Sequence, residues 1–569
     1  MKNVKNLFGM AVMATALVGC SSNDNLNPNA NEGAGKAGEA YASFKINLPT
    51  TSGTRAAGDP TFEKGDKNEY AVNDATLLLF QKNADGDFVF KEFVDLGNME
   101  PWTSSSTSGI TTTAKLTAKI TKAEVGSNKG YYALIVLNNN SKTAPKITYP
   151  AVDQTYADWS QKEANATANY LKYDNGFFMA NAPKYVAGAP ETLVEIKNIY
   201  ASKQQAENST ATTVYVERGL AKVSLASSSA EHVDIADGNY AGDKVDITGW
   251  TLDVTNTKTY PVHVTEGLWA DTWKTTVTPA ATNGASMDRF HDTKLTEFPR
   301  VYWGLDPNYS TDFATVEACN GEFKMASKDD FKTGAEAKKA QYCLENTFDI
   351  NHMVQGQTTR VLFSAKYTPD GFTAGETFYK FGNSPKLWHA ADVVAQIKAK
   401  AQEVLGEADA DKVTVTLAAE GNDMTKSGVR LVAAANITHT GGTALKEEQV
   451  KKINAKLGLK EATATDAAVG LSTFESGVSY YIARVKHFNA LTPWKPGDLT
   501  YDKNNANWLG RYGVLRNNWY ELSVSSVSGP GYPDIPKVNP TDPDDENKQF
   551  INVEVKILDW AMRKQVIEL

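Results

Sequence analysis

Cysteine is scarce in this chain, at three in 569 residues. No CxxC pair and no Cys/His cluster forms, which excludes thiolate sites of the zinc type. The seven histidines, His232, His263, His291, His352, His389, His439 and His487, are scattered, and none falls in HExxH or another His–carboxylate spacing that argues for a metal. A P-loop, a GxGxxG turn after a strand and a GxSxG elbow are all missing. Positive charge is also lacking: a formal net charge of −9 argues against nucleic acid as a partner. These absences leave no enzyme, no cofactor and no metal to expect. Only the abundant carboxylates keep a glycosidase pair open. The eleven Trp and twenty-four Tyr would suit a carbohydrate or protein surface, but aromatics at strand spacing are mostly core.

Long apolar runs are nearly absent as well. The one at the N-terminus, residues 7–18, is too short to span a bilayer and follows Lys2 and Lys5. It ends in Leu17-Val18-Gly19-Cys20, which resembles the lipobox of bacterial lipoproteins. In such proteins the Cys is acylated, with palmitate as an expected chain, and becomes the new N-terminus. Residues 21–39 then read as a disordered polar tether, and Ser21 after the Cys fits the outer membrane. In an oxidising compartment Cys319 and Cys343 either pair or stay as two buried thiols.

What the chain does have is alternation with turn signals between segments, the pattern of an all-β protein. Residues 41–55, YASFKINLPTTSGTR, set the theme. Ala42, Phe44, Ile46 and Leu48 recur with period two, so one strand face is buried. A Thr/Ser/Gly run then leads to a lone Arg55 before Ala56, an exposed site for a trypsin-like protease. Five regions are expected: a signal peptide over 1–19, a propeptide with a temporary first strand over 20–55, and β-domains over 56–228 and 229–527. The fifth is a terminal segment over 528–569. In the first domain, Ala75–Phe80 and Tyr131–Leu137 read as buried strands, and Asn83–Asp87 reads as a hairpin turn rather than a calcium loop. A short helix is expected within 154–172. Val214–Leu225 closes the domain as one strand whose Glu217 and Arg218, taken alone, would be a surface ion pair worth under ~1 kcal/mol. The Ser/Ala-rich residues 226–230 mark the boundary.

The second domain is expected to contain strands at Val245–Val254, Thr359–Tyr367, Ser479–His487 and Asn518–Val524, with His487 exposed at a strand end. Helices at 386–405 and 445–457 should cover a sheet. The first has Leu387, Ala391, Val394, Ile397, Ala401 and Val404 on its apolar face. Residues 528–547 carry five prolines and read as an extended flexible linker. Beyond it Ile551, Val553, Val555 and Ile557 line one face of a last strand, followed by Trp560. The two end strands each present four apolar side chains and suit the same kind of groove. If Arg55 is cut and the first strand leaves, the terminal strand of another copy fits the vacancy by β-augmentation. Four side chains at ~1.5–3 kcal/mol each supply roughly 6–12 kcal/mol before ordering costs. Donor and groove are different surfaces, so the contact propagates into a filament.

The lipobox, Arg55, the segment VYVERGLAKV at 214–223, the run Val514-Leu515-Arg516-Asn517-Asn518-Trp519-Tyr520 and the Val553-Glu554-Val555 to Trp560 element together resemble the fimbrillins of Bacteroidales, the subunits of type V pili. The likeness is greatest to the shaft subunit of the minor fimbria. It implies two tandem transthyretin-like β-sandwiches, lipidation at Cys20, cleavage at Arg55–Ala56 by an Arg-specific or trypsin-like protease, and polymerisation by donor-strand exchange through residues 551–560. It also implies pili that serve adhesion and biofilm formation at the cell surface. The implied partners are other copies of the chain, anchor and tip subunits, the protease, and the outer membrane before cleavage. The rival expectations are a tip or anchor subunit and a monomeric glycan-binding lipoprotein. The helical insert around 386–405, Cys319 and Cys343 depart from the nearest pattern.

Overall fold

A computed structural model describes residues 39–49, 67–97, 103–104, 110–139, 145–162, 165–166, 170–172, 176–186, 189–266, 300–349, 352–442, 444–463, 468–487, 512–544 and 551–559. The chain is all-β with a few helices. In order, the elements that matter here are β1 (Ala40–Pro49), β2 (Ala75–Lys82), β3 (Phe88–Gly97), β4 (Ile110–Ile120), β5 (Tyr131–Leu137), α1 (Tyr156–Lys162), β6 (Met179–Asn181), α2 (Lys203–Asn208), β7 (Thr212–Arg218) and β8 (Leu220–Leu225). They continue with β9 (Lys244–Asp253), β10 (Gln341–Leu344), β11 (Arg360–Thr368), α3 (Ala390–Leu405), α4 (Glu447–Lys456), β12 (Val478–Arg484), β13 (Asn518–Val527) and β14 (Ile551–Asp559).

The first half is a folded sheet in the order β3-β2-β5-β6-β7-β1-β4. The fold occurs within β7: its first residues pair with β1 and its last with β6. The two layers therefore face each other and enclose a core of Phe44, Ile46, Leu77, Leu79, Ala133, Ile135, Val214 and Val216. The ATLLLF run is apolar at every position but Thr76 because β2 is buried on both faces. Leu78 and Phe80 point the other way and pack with Leu134, Val136, Trp159 of α1 and Phe178. The expected turn closes the β2–β3 hairpin, with Asn83 Oδ1 accepting the Asp87 N–H at 2.8 Å.

In the second half, one sheet runs β10-β8-β13-β14 and another contains β9-β11-β12. Trp250, Phe363, Tyr481, Val223, Tyr520 and Leu522 form the core between them. The chain changes sheet at Gly219, ahead of the break expected at 226–230, so VYVERGLAKV is two strands, not one. Glycine is needed there because a Cβ would lie 2.1 Å from the Tyr170 hydroxyl.

Residues 378–474, between β11 and β12, form a small lobe with its own core of Phe381, Ile397, Val413, Ile437, Ile453 and Leu471. The helices α3 and α4 cover this lobe's short strands rather than the two main sheets. The buried stripe of α3 is Val393, Ile397 and Ala401, while Ala391 of the expected face is exposed.

Two further expectations are corrected, and of the two states left open for the cysteines the structure has the buried thiols. His487 is buried, with Nδ1 2.6 Å from the Tyr520 hydroxyl. Cys319 and Cys343 are free and buried in separate clusters: Cys319 beside Val254 and Phe323, Cys343 beside Ala221 and Val223. The proline-rich segment does not behave as a free linker over its described part, residues 528–544. Pro530, Pro536 and Asp544 offer backbone carbonyls to Ser479 Oγ at 2.5 Å, Arg360 Nη2 at 2.6 Å and Arg484 Nε at 2.9 Å. Tyr532 pairs with Tyr480 through backbone bonds of 2.9 and 2.8 Å. Gly531, at φ +63°, lies so close that a Cβ would meet the Tyr480 carbonyl at 2.5 Å.

Candidate assembly site

The first strand is placed in the interior of its sheet. β1 runs antiparallel to β4, with Phe44 opposite Leu116 and Ile46 opposite Ala114. On its other side it runs parallel to β7, from Phe44 opposite Thr212 to Asn47 opposite Tyr215. Ala42, Phe44 and Ile46 are fully buried and Leu48 is 1% exposed, as the period-two pattern requires. Taking β1 away would leave the facing edges of β4 and of the first residues of β7 unpaired and open an apolar slot in the core.

The opposite face of β1 is partly polar and is also covered. The Ser43 hydroxyl donates to the Ala206 carbonyl of α2 at 2.7 Å and lies 2.7 Å from the Thr117 hydroxyl. Asn47 is 1% exposed and accepts a hydrogen bond from Thr113 at 2.7 Å. Lys45, between them, is exposed. The slot is thus apolar on one wall, carries two satisfied polar positions on the other, and has a single solvent-facing position at its centre.

The terminal strand is placed in the second half. β14 pairs antiparallel with β13 from Asn518 opposite Asp559 to Val527 opposite Ile551, with an irregularity between Val524 and Ser526. It is the outer strand of its sheet among the described residues. Ile551, Val553, Val555 and Ile557 are therefore on a strand in this chain's own fold, and not near β1. Cys20, Arg55, Ala56 and Trp560 lie outside the described residues.

The sequence motifs quoted above meet at a junction that pattern reading missed. Glu217 and Arg218 are both buried and face different partners, which corrects the surface pair expected. Glu217 Oε1 lies 2.6 Å from His263 Nδ1, and its Oε2 accepts from Arg300 at 2.9 Å. Burial pushes the Glu217 carboxyl up, but His263, Arg300 and Arg516 together hold it below the usual carboxylate range. Arg218 Nε donates to the Glu69 carbonyl at 2.7 Å, and the Arg218 N–H donates to Asn517 Oδ1 at 3.1 Å. Arg516 Nε pairs with Glu345 at 3.0 Å. Lys222 binds the Glu69 carboxylate at 2.7 Å and lies over the Trp519 ring, 3.7 Å from its centroid. VYVERGLAKV and the Arg516–Tyr520 run are two sides of one buried polar joint between the halves of the molecule. The available signal was three charged residues, Glu217, Arg218 and Lys222, inside an apolar strand pattern. Among the described residues, no group of three or more His, Cys, Asp or Glu is placed to hold a metal ion.

Residues 472–566 match the sequence profile of the family described as major fimbrial subunit protein type IV, fimbrillin, C-terminal. That stretch spans β12, β13, the docked proline-rich segment and β14. No curated protein matches the chain. Among solved structures, it is similar to a candidate cell adhesion protein of Parabacteroides distasonis at 10% identity and TM-score 0.37, covering 92% of this chain and 98% of that one. A second candidate cell adhesion protein of that organism gives 12% and 0.35, with 92% and 99% covered. A fimbrial assembly protein of the same organism gives 11% and 0.28, with 58% and 84% covered. At these scores the likeness carries no argument. Residues 472–566 are thus similar to the C-terminal part of the fimbrillins.

Proposed function

We propose that this protein is a shaft subunit of a cell-surface fimbria, made as an outer-membrane lipoprotein acylated at Cys20 and cut between Arg55 and Ala56. Cleavage separates β1 from the rest of the chain. The strand then leaves, and residues 551–560 of the next copy fill the slot between β4 and β7. Each half is taken as a transthyretin-like sandwich, with anchor and tip subunits ending the filament and the pilus serving adhesion.

One observation carries this reading. β1 is an interior strand with Ala42, Phe44 and Ile46 fully buried, and the chain reaches Arg55 six residues beyond its end at Pro49. A cut there would detach a strand held only by non-covalent contacts. Its four apolar side chains are worth roughly 6–12 kcal/mol, which a replacement of similar pattern can match. The fimbrillin match over 472–566 supports the same reading from the other end of the chain.

The test is electron microscopy of purified protein before and after limited trypsin treatment. Wild-type protein forms filaments after cleavage, Arg55→Ala stays monomeric although exported, and a chain lacking residues 550–569 yields processed monomers that do not extend. Filaments of uncleaved Arg55→Ala protein would overturn the mechanism.

A further inference from the structure

The ladder between β1 and β4 contains a mismatch. Lys45 stands directly opposite Lys115, and both are exposed. Like charges directly opposed across antiparallel strands are destabilising. The Lys115 ammonium group is turned to the Glu207 backbone carbonyl, 2.7 Å away. Opposite-charge partners exist elsewhere on this edge, where Lys119 pairs with Glu39 at 2.9 Å, so the sequence does not avoid them in general.

The terminal strand carries the complementary charge at the corresponding place. Lys45 lies at the centre of the repeat Ala42, Phe44, Ile46, Leu48, and Glu554 lies at the centre of Ile551, Val553, Val555, Ile557. When four apolar residues occupy four apolar positions, Glu554 falls at position 45 whichever way the strand runs. A Lys–Lys pair becomes a Glu–Lys pair. Slipping by two residues places Asn552 or Lys556 there and takes one apolar residue out of register. Slipping by one turns the whole apolar face outward.

We propose that Lys115 reads Glu554 of a second copy of this chain, fixing the register of the incoming strand, and that Lys45 biases β1 to be the strand that leaves. The proposal rests on the donor-strand reading above. It makes position 45 a specificity point: the temporary strand is tolerated there and the replacement is preferred.

The experiment follows extension of full-length chains by light scattering after limited trypsin treatment. It compares wild type, Lys115→Glu, Glu554→Lys, the double swap and Lys115→Arg. Both single inversions should slow extension by roughly three- to tenfold, as expected for one exposed cross-strand charge pair. The double swap should extend faster than either single inversion, short of wild type because Lys115→Glu also gives Lys45 a favourable partner, and Lys115→Arg should leave extension near wild type. The differences should vanish in 1 M salt, where the screening length falls to about 3 Å. Cooperative melting curves with no loss of stability against wild type confirm that the substituted chains are folded. Single inversions that extend at the wild-type rate, or a double swap slower than either single, would overturn the pairing while leaving donor-strand exchange in place. A processed wild type that does not extend at all would overturn both.

Discussion

At the scale of single residues, burial decides which charges matter. Asp306 is 3% exposed and accepts backbone N–H bonds from Asn308 and Thr347, each at 2.7 Å. Burial dominates those bonds and pushes its carboxyl from 3.8 up to about 7. A carboxyl whose folded value is raised binds its proton more tightly in the folded state. Its contribution is therefore fully present below pH 4 and is lost as pH rises towards 7. The loss is on the order of 4 kcal/mol over that window. Asn308 and Thr347 donate to different oxygens, so Asp306→Asn keeps one of the two acceptors and removes the titration. Urea unfolding of the variant between pH 4 and 7 should be flatter than that of wild type, and an unchanged slope would assign the pH dependence to other groups. Glu217 works in the opposite direction. Its carboxyl is held low by His263, Arg300 and Arg516, so its contribution is present at neutral pH and fades on acidification. Replacing it by Gln leaves Arg300 buried without its counter-charge. The expected loss is about 3–5 kcal/mol by urea unfolding at pH 7.

At the scale of elements, the strands were readable and the joints were not. Period-two alternation placed β1, β9, β11 and β13 within a few residues, and a largely apolar run placed β2, because both signals come from local burial. The junction around Glu217 escaped the same reasoning. Its partners, His263, Arg300 and Asn517, are remote in sequence, and a Glu beside an Arg looks like a local pair when only neighbours are considered. The same limitation hid the docking of 528–544. Prolines favour extended chain, but whether that chain lies on a surface depends on acceptors such as the Pro536 carbonyl meeting Arg360. The lobe at 378–474 was recognised by its helices, whereas its separate core was not. Because Ile397 packs within that core, Ile397→Ala should cost about 2–5 kcal/mol locally. Hydrogen exchange should then rise in α3 and α4, while β1, β4 and filament formation stay as in wild type. A loss of filaments would mean that the lobe takes part in assembly.

At the scale of the whole molecule, assembly by exchange needs two releases, not one. Opening the slot requires β1 to leave, and supplying the donor requires β14 to leave β13, to which it is paired along its full length within the same chain. The segment before β14 is anchored as far as the Asp544 carbonyl, so the donor side is held against its own second half by the Arg484 and Arg360 contacts. Locking β14 should therefore block growth even when the slot is open. Glu521 and Lys556 are directly opposite in the β13–β14 ladder, so Glu521→Cys with Lys556→Cys places two thiols for a cross-strand disulfide. Cys343 will not compete, since burial pushes its thiol up to about 12, and Cys319 is buried and shifted the same way. Processed protein carrying the oxidised pair should remain monomeric by electron microscopy, reduction should release filaments, and each single cysteine variant should polymerise in either state. Filaments from the oxidised double variant would show that β14 need not leave its sheet, and the incoming strand would then have to come from elsewhere in the chain.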